Sequence, residues 1–194
     1  MIVLASKSAS RRAMLDAAGV SYASVPAGLD ERAIEEGLAG ASPEEVALAL
    51  AKAKALAVSR EQPGALVLGS DSLVTVEGRR FDKPADRDDA VRHLRFFSGK
   101  KMQLHSAAAL ARDDNVVFAH ADMAVLSVRD LSEAFIATYL DEEWPEVGNC
   151  VGVFRIEGRG VHLFDRIEGD QFTVLGMPLL PVLAALRESG ELPQ

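Results

Sequence analysis

A polar stretch, Gly69-Ser70-Asp71-Ser72, interrupts a run of strand-forming residues and limits how this part of the chain can fold. The residues before it, 65–68, and after it, 73–76, are mostly aliphatic or β-branched, as in buried strands. Burying an unpaired carboxylate is costly, so an Asp placed there is usually paired, bound to a metal or set at the rim of a cleft. The alternative is that Asp71 only caps a turn between two strands. These residues alone leave both interpretations open.

The composition predicts a globular protein with one domain, or with two lobes that share one sheet. The chain has 194 residues, of which 48% are hydrophobic, enough for a sizeable core. No apolar run approaches the length of a membrane span, and the apolar residues 2–5 are too few for a secretory signal. The single cysteine, Cys150, excludes an intramolecular disulfide and a cysteine cluster for zinc. We therefore expect a cytoplasmic protein.

The net charge narrows the class of partner. At pH 7 the formal net charge is −8, which argues against broad binding of nucleic acid or of anionic membranes. An acidic protein can still carry a local basic pocket for one phosphorylated small molecule. The sequence therefore predicts no nucleic-acid partner and no membrane partner.

The start of the chain has the pattern of an anion-binding turn. Residues 2–5 predict a short buried strand, and Ser6-Lys7-Ser8-Ala9-Ser10-Arg11-Arg12 leads into apolar residues at helical spacing. Free backbone N–H groups and the helix dipole favour an anion at such a position, and the serines and arginines add charge-assisted bonds. The alternative is that Ser10 is only an N-cap and the arginines are solvated.

The remaining pattern predicts an α/β fold with a mixed sheet flanked by helices. A helix is predicted to begin at Ser42-Pro43-Glu44-Glu45. Lys52 and Lys54 on this helix are two residues apart and point in different directions, so at most one of them faces a site. Asp30-Glu31 reads as part of a loop. Strands are predicted at 102–111, 116–128, 151–156, 161–164 and 172–175, a hairpin turn at 77–80, and a closing helix at 179–186.

Taken together, these features resemble the Maf-like nucleoside triphosphate pyrophosphatases, over essentially the whole chain, 1–194, as a single domain. Each motif is weak alone, and the ordered series is specific. The motifs are Ser6-x-Ser8-x-x-Arg11, Asp30-Glu31, Lys54-Ala55-x-Ala57, Gly69-Ser70-Asp71, Lys83-Pro84-x-Asp86, Ser98-Gly99-Lys100, Glu157-Gly158, Ile167-Glu168-Gly169-Asp170 and Gly176-Met177-Pro178-Leu179.

The resemblance implies a fold and an activity. The fold is an elongated α/β fold like that of inosine triphosphate pyrophosphatase, with two lobes around a cleft, often in a homodimer. The activity is metal-dependent hydrolysis of a nucleoside triphosphate between the α and β phosphates, with magnesium or manganese as the cofactor. Its products are a nucleoside monophosphate and pyrophosphate. Family members have also been linked to septum formation.

The resemblance also implies the roles of individual residues. Asp71 corresponds to the general base that activates water, and Glu31 and Asp71 are the carboxylates suited to the divalent metal. The positions that bind substrate are Ser6, Ser8, Arg11, Lys54 and Lys83.

Three positions distinguish the subgroups of this family by base preference. The subgroup that prefers dTTP, UTP and related nucleotides carries Arg, Thr and Gln there, and the subgroup that prefers 7-methyl-GTP carries Tyr, Gln and Glu. This chain has Ser10, Ser72 and Glu157, so only Glu157 matches, and it favours 7-methyl-GTP.

Other functions stay open at this point. The chain is alternatively a dTTP/UTP pyrophosphatase of the same family, a sugar-phosphate or nucleotidyl transferase, or a non-catalytic nucleotide-binding regulator of cell division. Retention of the carboxylate at Asp71 argues for the catalytic alternatives.

Overall fold

The computed structural model describes residues 1–194 and contains seven strands and seven α-helices. Strands β1 to β7 are Ile2–Leu4, Tyr22–Ser24, Val67–Val76, Arg79–Phe81, Lys101–Arg112, Asn115–Val128 and Phe164–Glu168. Helices α1 to α7 are Ala9–Ala17, Glu31–Glu36, Pro43–Glu61, Arg87–Phe97, Glu133–Glu143, Gln171–Val174 and Leu179–Glu188. Two short 3-10 helices are Glu146–Asn149 and Arg159–Leu163. No helix has both the length and the apolar character that crossing a bilayer requires.

The strands form one mixed sheet in the order β2-β1-β3-β5-β6-β7, with β4 paired to β3. The pairs β1–β2 and β1–β3 are parallel, whereas β3–β4 and β6–β7 are antiparallel. Strand β1 ends where Leu4 lies opposite Leu68, and Ala5 N–H donates to the Leu68 carbonyl at 2.8 Å. The loop after β1 therefore leaves the sheet next to Gly69-Ser70-Asp71-Ser72. The predicted α/β fold with a mixed sheet is confirmed.

The chain divides into two compact units, and β3, β5 and β6 contribute residues to each. The first unit contains residues 1–72, 105–122 and 171–194, and the second contains 73–104 and 123–170. The core of the first unit includes Leu4, Leu15, Leu68, Leu110 and Leu186, all fully buried. The likeness to inosine triphosphate pyrophosphatase and the arrangement of two lobes around a cleft stay predictions.

The second unit has an aromatic core beside the β3–β4 hairpin. Phe81 on β4 meets Phe97 of α4 edge-on, with ring centroids 4.8 Å apart, and Phe96 packs on the same ring at 5.1 Å. Asp86 caps α4 by accepting the Asp89 N–H at 2.7 Å, as expected of an Asp before an apolar helical stripe. The predicted hairpin is confirmed, but its turn is only Glu77-Gly78 and not 77–80, because β3 ends at Val76 and Arg79 and Arg80 already pair with it in β4.

The last third of the chain differs from the predicted series of short strands. Its only strand is β7, while 151–156 is irregular, 159–163 is a 3-10 helix and 171–174 is the short helix α6. Gly152 and Val153 have φ of 81° and 58°, in the left-handed region, so the backbone reverses where an apolar run suggested extension. Short apolar runs do not distinguish strands from buried turns, which is why the prediction was wrong there.

Candidate active site

The loop after β1 gathers three serine hydroxyls at the start of α1. Ser8, and not Ser10, is the N-cap of this helix, and its hydroxyl faces the Arg11 N–H at 3.5 Å. The Ser10 hydroxyl instead donates to the Leu175 carbonyl at 3.1 Å and lies 3.1 Å from the Ser8 hydroxyl. Ser6 accepts the Ser8 N–H at 3.1 Å. The loop is therefore a hydrogen-bonded turn, and the Ser6 and Ser8 hydroxyls both face nitrogen atoms of Arg11 at 3.5 Å.

Arg11 is held by the protein through its guanidinium. Its Nε donates to the Gly176 carbonyl at 3.0 Å, its Nη2 donates to the Ser72 hydroxyl at 3.1 Å, and its Nη1 lies 3.5 Å from the Ser6 hydroxyl. Burial lowers the pKa of Arg11 from its usual value, and the charges of Asp71 and Glu31 act in the opposite direction. The neighbouring Arg12 is exposed. One of the two arginines thus faces the acidic side chains, and the other faces water.

Lys54 lies between the two carboxylates that the sequence marked for a metal. Its Nζ is 2.9 Å from Glu31 Oε1 and 2.5 Å from Asp71 Oδ1. The side chains of Lys54 and Asp71 are only 12% and 10% exposed, while that of Glu31 is 47% exposed. Asp71 is therefore a buried carboxylate with a charged partner, as the cost of burying an unpaired charge requires. It does not cap a turn, because it lies inside β3.

Capping residues define where the helices that carry Lys54 and Glu31 begin. Ser42 and Glu45 form a capping box at the start of α3, with Ser42 accepting the Glu45 N–H at 3.2 Å and Glu45 accepting the Ser42 N–H at 2.7 Å. Asp30 caps α2 by accepting the Ala33 N–H at 3.2 Å, which sets Glu31 in the first helical turn. The loop predicted at Asp30-Glu31 therefore ends at Asp30, and Glu31 is the first residue of α2.

Gly69 allows α3 to lie directly against β3. A Cβ atom at Gly69 would be 2.2 Å from the Ala51 carbonyl oxygen and 2.6 Å from the Ala55 nitrogen, both backbone atoms of α3. Lys54 leaves the helix next to this contact, and Asp71 lies two residues after Gly69 on the strand. The close approach therefore explains how a lysine and a strand aspartate meet at 2.5 Å. Lys52 makes no such ion pair, in agreement with the expectation that only one lysine of the two faces a site.

Lys83 and Glu157 belong to the second unit. Both side chains are exposed, and Pro84 after Lys83 is buried. Burial raises the pKa of the Cys150 thiol, Glu157 raises it further, and Arg155 and Lys83 oppose the increase. The charges of Lys83 and Glu157 therefore both act on Cys150, whose side chain is half-buried.

An ion pair between the buried carboxylate of Glu143 and the half-buried Arg155, close to Glu157 in the chain, was not foreseen from the sequence. Glu143 is 6% exposed, and its Oε2 accepts from Arg155 Nη2 at 2.9 Å and from Arg155 Nε at 3.3 Å. A Cβ at Gly160 would be 2.4 Å from the Arg155 carbonyl oxygen, so the chain folds tightly around Arg155. The turn that carries Glu157 is thus fixed at Arg155 and at Gly160. Glu143 ends an acidic run, Asp141-Glu142-Glu143, which by itself is typical of a solvated surface.

The residues of the first unit make a site in which two cations face two carboxylates. Arg11 and Lys54 are held beside Glu31 and Asp71, at the carboxyl end of β1, where open α/β sheets commonly bind ligands. Fixed cations of this kind suit phosphate groups, and paired carboxylates suit a hard metal ion or a water to be deprotonated. The site is thus of the kind by which α/β proteins bind a phosphorylated ligand, with fixed cations beside paired carboxylates.

The chain belongs to the Maf-like protein family, whose sequence model matches residues 1–189. It is 49% identical over 191 residues to a 7-methyl-GTP pyrophosphatase of Mesorhizobium japonicum, covering 97% of this chain and 96% of that protein. It is 46% identical over 187 residues to a nucleoside triphosphate pyrophosphatase of Rhodopseudomonas palustris, covering 96% and 93%.

A solved structure, a HAM1 protein from Coxiella burnetii, aligns with 66% of this chain and 72% of its own. The sequence identity is 18% and the TM-score is 0.42.

Proposed function

We propose that this protein is a nucleoside triphosphate pyrophosphatase that hydrolyses the bond between the α and β phosphates and prefers 7-methyl-GTP. The observation that carries the proposal is the Lys54 ammonium bound to both Glu31 and Asp71, with Arg11 held beside them. The names of the two relatives, a 7-methyl-GTP pyrophosphatase and a nucleoside triphosphate pyrophosphatase, support the same substrate class.

Asp71 acts as the general base in this proposal. Only its Oδ1 contacts Lys54, so Oδ2 is left to accept a proton from an attacking water. Lys54 keeps the carboxylate in place, and Arg11 is fixed by Gly176 and Ser72 before substrate arrives. Such preorganisation lowers the entropy cost of aligning water and phosphorus.

Glu31 and Asp71 would hold a divalent metal, and their chemistry fits magnesium or manganese. Magnesium is usually bound by one or two carboxylates and completes its shell with water and substrate phosphates. The structure contains no group of three or more His, Cys, Asp or Glu side chains that could hold a metal ion, so the proposal uses these two carboxylates alone. When bound, the metal would polarise the phosphoryl oxygens and neutralise developing charge.

Lys54 and Lys83 are expected to contribute binding energy to the triphosphate. Alanine at either position removes a charge-assisted contact worth roughly 1.5–3 kcal/mol, so kcat/KM should fall more than tenfold. Lys52→Ala is the matched control, because Lys52 lies on the same helix and takes no part in the Lys54 ion pairs. Steady-state kinetics with one nucleotide measure all three variants. Unchanged kinetics in both site variants would dismiss the phosphate role.

Glu157 is proposed to read the base. A carboxylate accepts hydrogen bonds from the N1–H and the exocyclic amine of guanine, and it favours the positive charge of a 7-methylated ring. Thymine and uracil present one ring N–H and two carbonyl oxygens, which a carboxylate repels. The pair Glu143–Arg155 fixes the turn on which Glu157 lies, so its position is set before a base arrives.

Glu157→Gln is therefore expected to narrow or reverse the preference for 7-methyl-GTP over dTTP and UTP. The measurement is the ratio of kcat/KM for these nucleotides in wild type and variant. Glu146→Gln makes the same change of charge on another exposed side chain of the second unit and should leave the ratio unchanged. A wild type that prefers dTTP or UTP, with a ratio that Glu157→Gln does not move, rules out the base-reading role.

The activity itself is tested by pyrophosphate release from a panel of canonical and modified nucleotides, with magnesium, with manganese and with EDTA. We expect pyrophosphate and monophosphate in equal amounts, no need for an acceptor, and loss of turnover with EDTA. Release that depends on an added acceptor would identify a transferase. Nucleotide binding without release from any member of the panel would favour a non-catalytic regulator.

A further inference from the structure

We propose that Ser72 is a positioning residue, which fixes the Arg11 guanidinium together with the Gly176 carbonyl, and that it does not read the base. This inference rests on the proposed function, because Arg11 is taken to bind the triphosphate. It gives a different role to a position that the family resemblance links to base preference. The three groups all belong to the first unit of the chain.

The hydrogen bonds of Ser72 leave its hydroxyl without a free proton. Its Oγ donates to the Gly176 carbonyl at 2.9 Å. A hydroxyl has one proton and two lone pairs, and here one lone pair accepts from Arg11 Nη2 at 3.1 Å, while the Ser106 hydroxyl oxygen lies 3.1 Å away. Ser106 is fully buried and lies 2.8 Å from the Thr173 carbonyl. The proton of Ser72 and the lone pair that holds Arg11 are therefore both used by protein groups, so Ser72 has no proton to donate to a base.

The Gly176 carbonyl is the second anchor of the guanidinium. It accepts Arg11 Nε at 3.0 Å, and the Ser70 and Ser72 hydroxyls at 3.1 and 2.9 Å. Gly176 has φ of +100°, and a Cβ there would be 3.0 Å from the Ser72 hydroxyl oxygen. Both the backbone conformation and the available space therefore require glycine at this point.

Two adjacent nitrogens of one guanidinium are thus fixed, Nε on Gly176 and Nη2 on Ser72. Two such contacts define the plane of a rigid fork. Nη1 directs one of its two N–H groups at the Ser6 hydroxyl oxygen, with 3.5 Å between nitrogen and oxygen. Of the five N–H groups of an arginine, two remain for a ligand, and the position of the fork decides where they point. Of the two side chains that contact the guanidinium, Ser72 is the closer, at 3.1 Å. Without its hydroxyl, the Gly176 carbonyl would be the one short hydrogen bond that still holds the guanidinium.

Ser72→Ala is therefore expected to lower kcat about tenfold while leaving base selectivity unchanged. The readout is kcat and KM for 7-methyl-GTP, GTP and dTTP, which share a triphosphate and differ in base. Ser72→Thr keeps the hydroxyl and should recover most of the rate. Ser59→Ala removes another buried hydroxyl, which accepts the Asp114 N–H at 3.2 Å, and should change neither rate nor selectivity.

A double-mutant cycle separates positioning from general damage to the fold. If Ser72 acts through Arg11, Ser72→Ala should cost less than twofold in kcat when introduced into Arg11→Ala. Equal costs in the two backgrounds, or a change in the ratio of kcat/KM among the three nucleotides, would overturn the inference. Failure of the proposed function is a different result, because then the wild-type protein itself releases no pyrophosphate.

Discussion

Asp71→Asn is expected to remove nucleotide turnover and to leave the fold intact. Loss of a general base typically lowers a rate by ~10²–10⁴, and by more when the same carboxylate also binds a metal. Asparagine has nearly the shape of aspartate, and Lys54 would keep its contact with Glu31 at 2.9 Å. The ammonium therefore retains a counter-ion, which limits the structural cost of the substitution.

The measurement is the initial rate of pyrophosphate release, with circular dichroism and thermal unfolding to report on the fold. Asp88→Asn is the control, because Asp88 is an exposed carboxylate in the first turn of α4. Its rate should equal that of the wild type. A kcat for Asp71→Asn close to that of the wild type would show that the role given to Asp71 is wrong.

The sequence predicted which residues of the first unit form the site, but it did not predict the hydrogen bonds that hold them in place. Glu31, Lys54 and Asp71 were selected together, and the structure joins them through two ion pairs. The connection of Arg11 to Gly176 spans 165 residues. Periodicity shows which face of a helix is apolar, but it does not show which loop returns to that face. Long-range contacts of this kind therefore came only from the structure.

The two specificity serines show the same limit. Ser10 and Ser72 were selected because they occupy positions that distinguish the subgroups of the family, although they match neither subgroup. In the structure their hydroxyls bind the adjacent carbonyls of Leu175 and Gly176. A sequence motif gives the position of a serine along the chain. It does not show which carbonyl accepts the single proton of the hydroxyl, because that depends on which carbonyl lies within reach in the fold. That information is absent from local sequence.

The role of Gly69 in the contact between α3 and β3 could not be recognised from the sequence. It precedes Ser70 and Asp71 in the motif, where it resembles a turn residue, yet it lies inside β3 against α3. The nearest atoms to its absent side chain are the backbone atoms of Ala51 and Ala55, at 2.2 and 2.6 Å. Backbone atoms cannot avoid a new methyl group by changing a rotamer. Helix and strand would have to separate.

Gly69→Ala is therefore expected to destabilise the protein and to impair the site together. Overpacking of a core commonly costs about 1–3 kcal/mol, and a contact with two backbone atoms should lie at the upper end. For a chain of this length each kcal/mol lowers Tm by roughly 2–4 °C, so a decrease of roughly 6–12 °C is expected. The same separation moves Lys54 away from Asp71, so turnover should fall even well below the unfolding temperature.

Gly37→Ala is the matched control for this substitution. Gly37 has φ of −70°, and a Cβ there would meet only the Ile34 carbonyl at 3.4 Å, an ordinary contact. Alanine at this position should leave Tm and turnover close to those of the wild type, since no atom has to move. If Gly69→Ala instead unfolded at the temperature of Gly37→Ala and kept its rate, α3 and β3 would not be in backbone contact at Gly69. The pairing of Lys54 with Asp71 would then need another explanation, because this contact sets the distance between the helix and the strand.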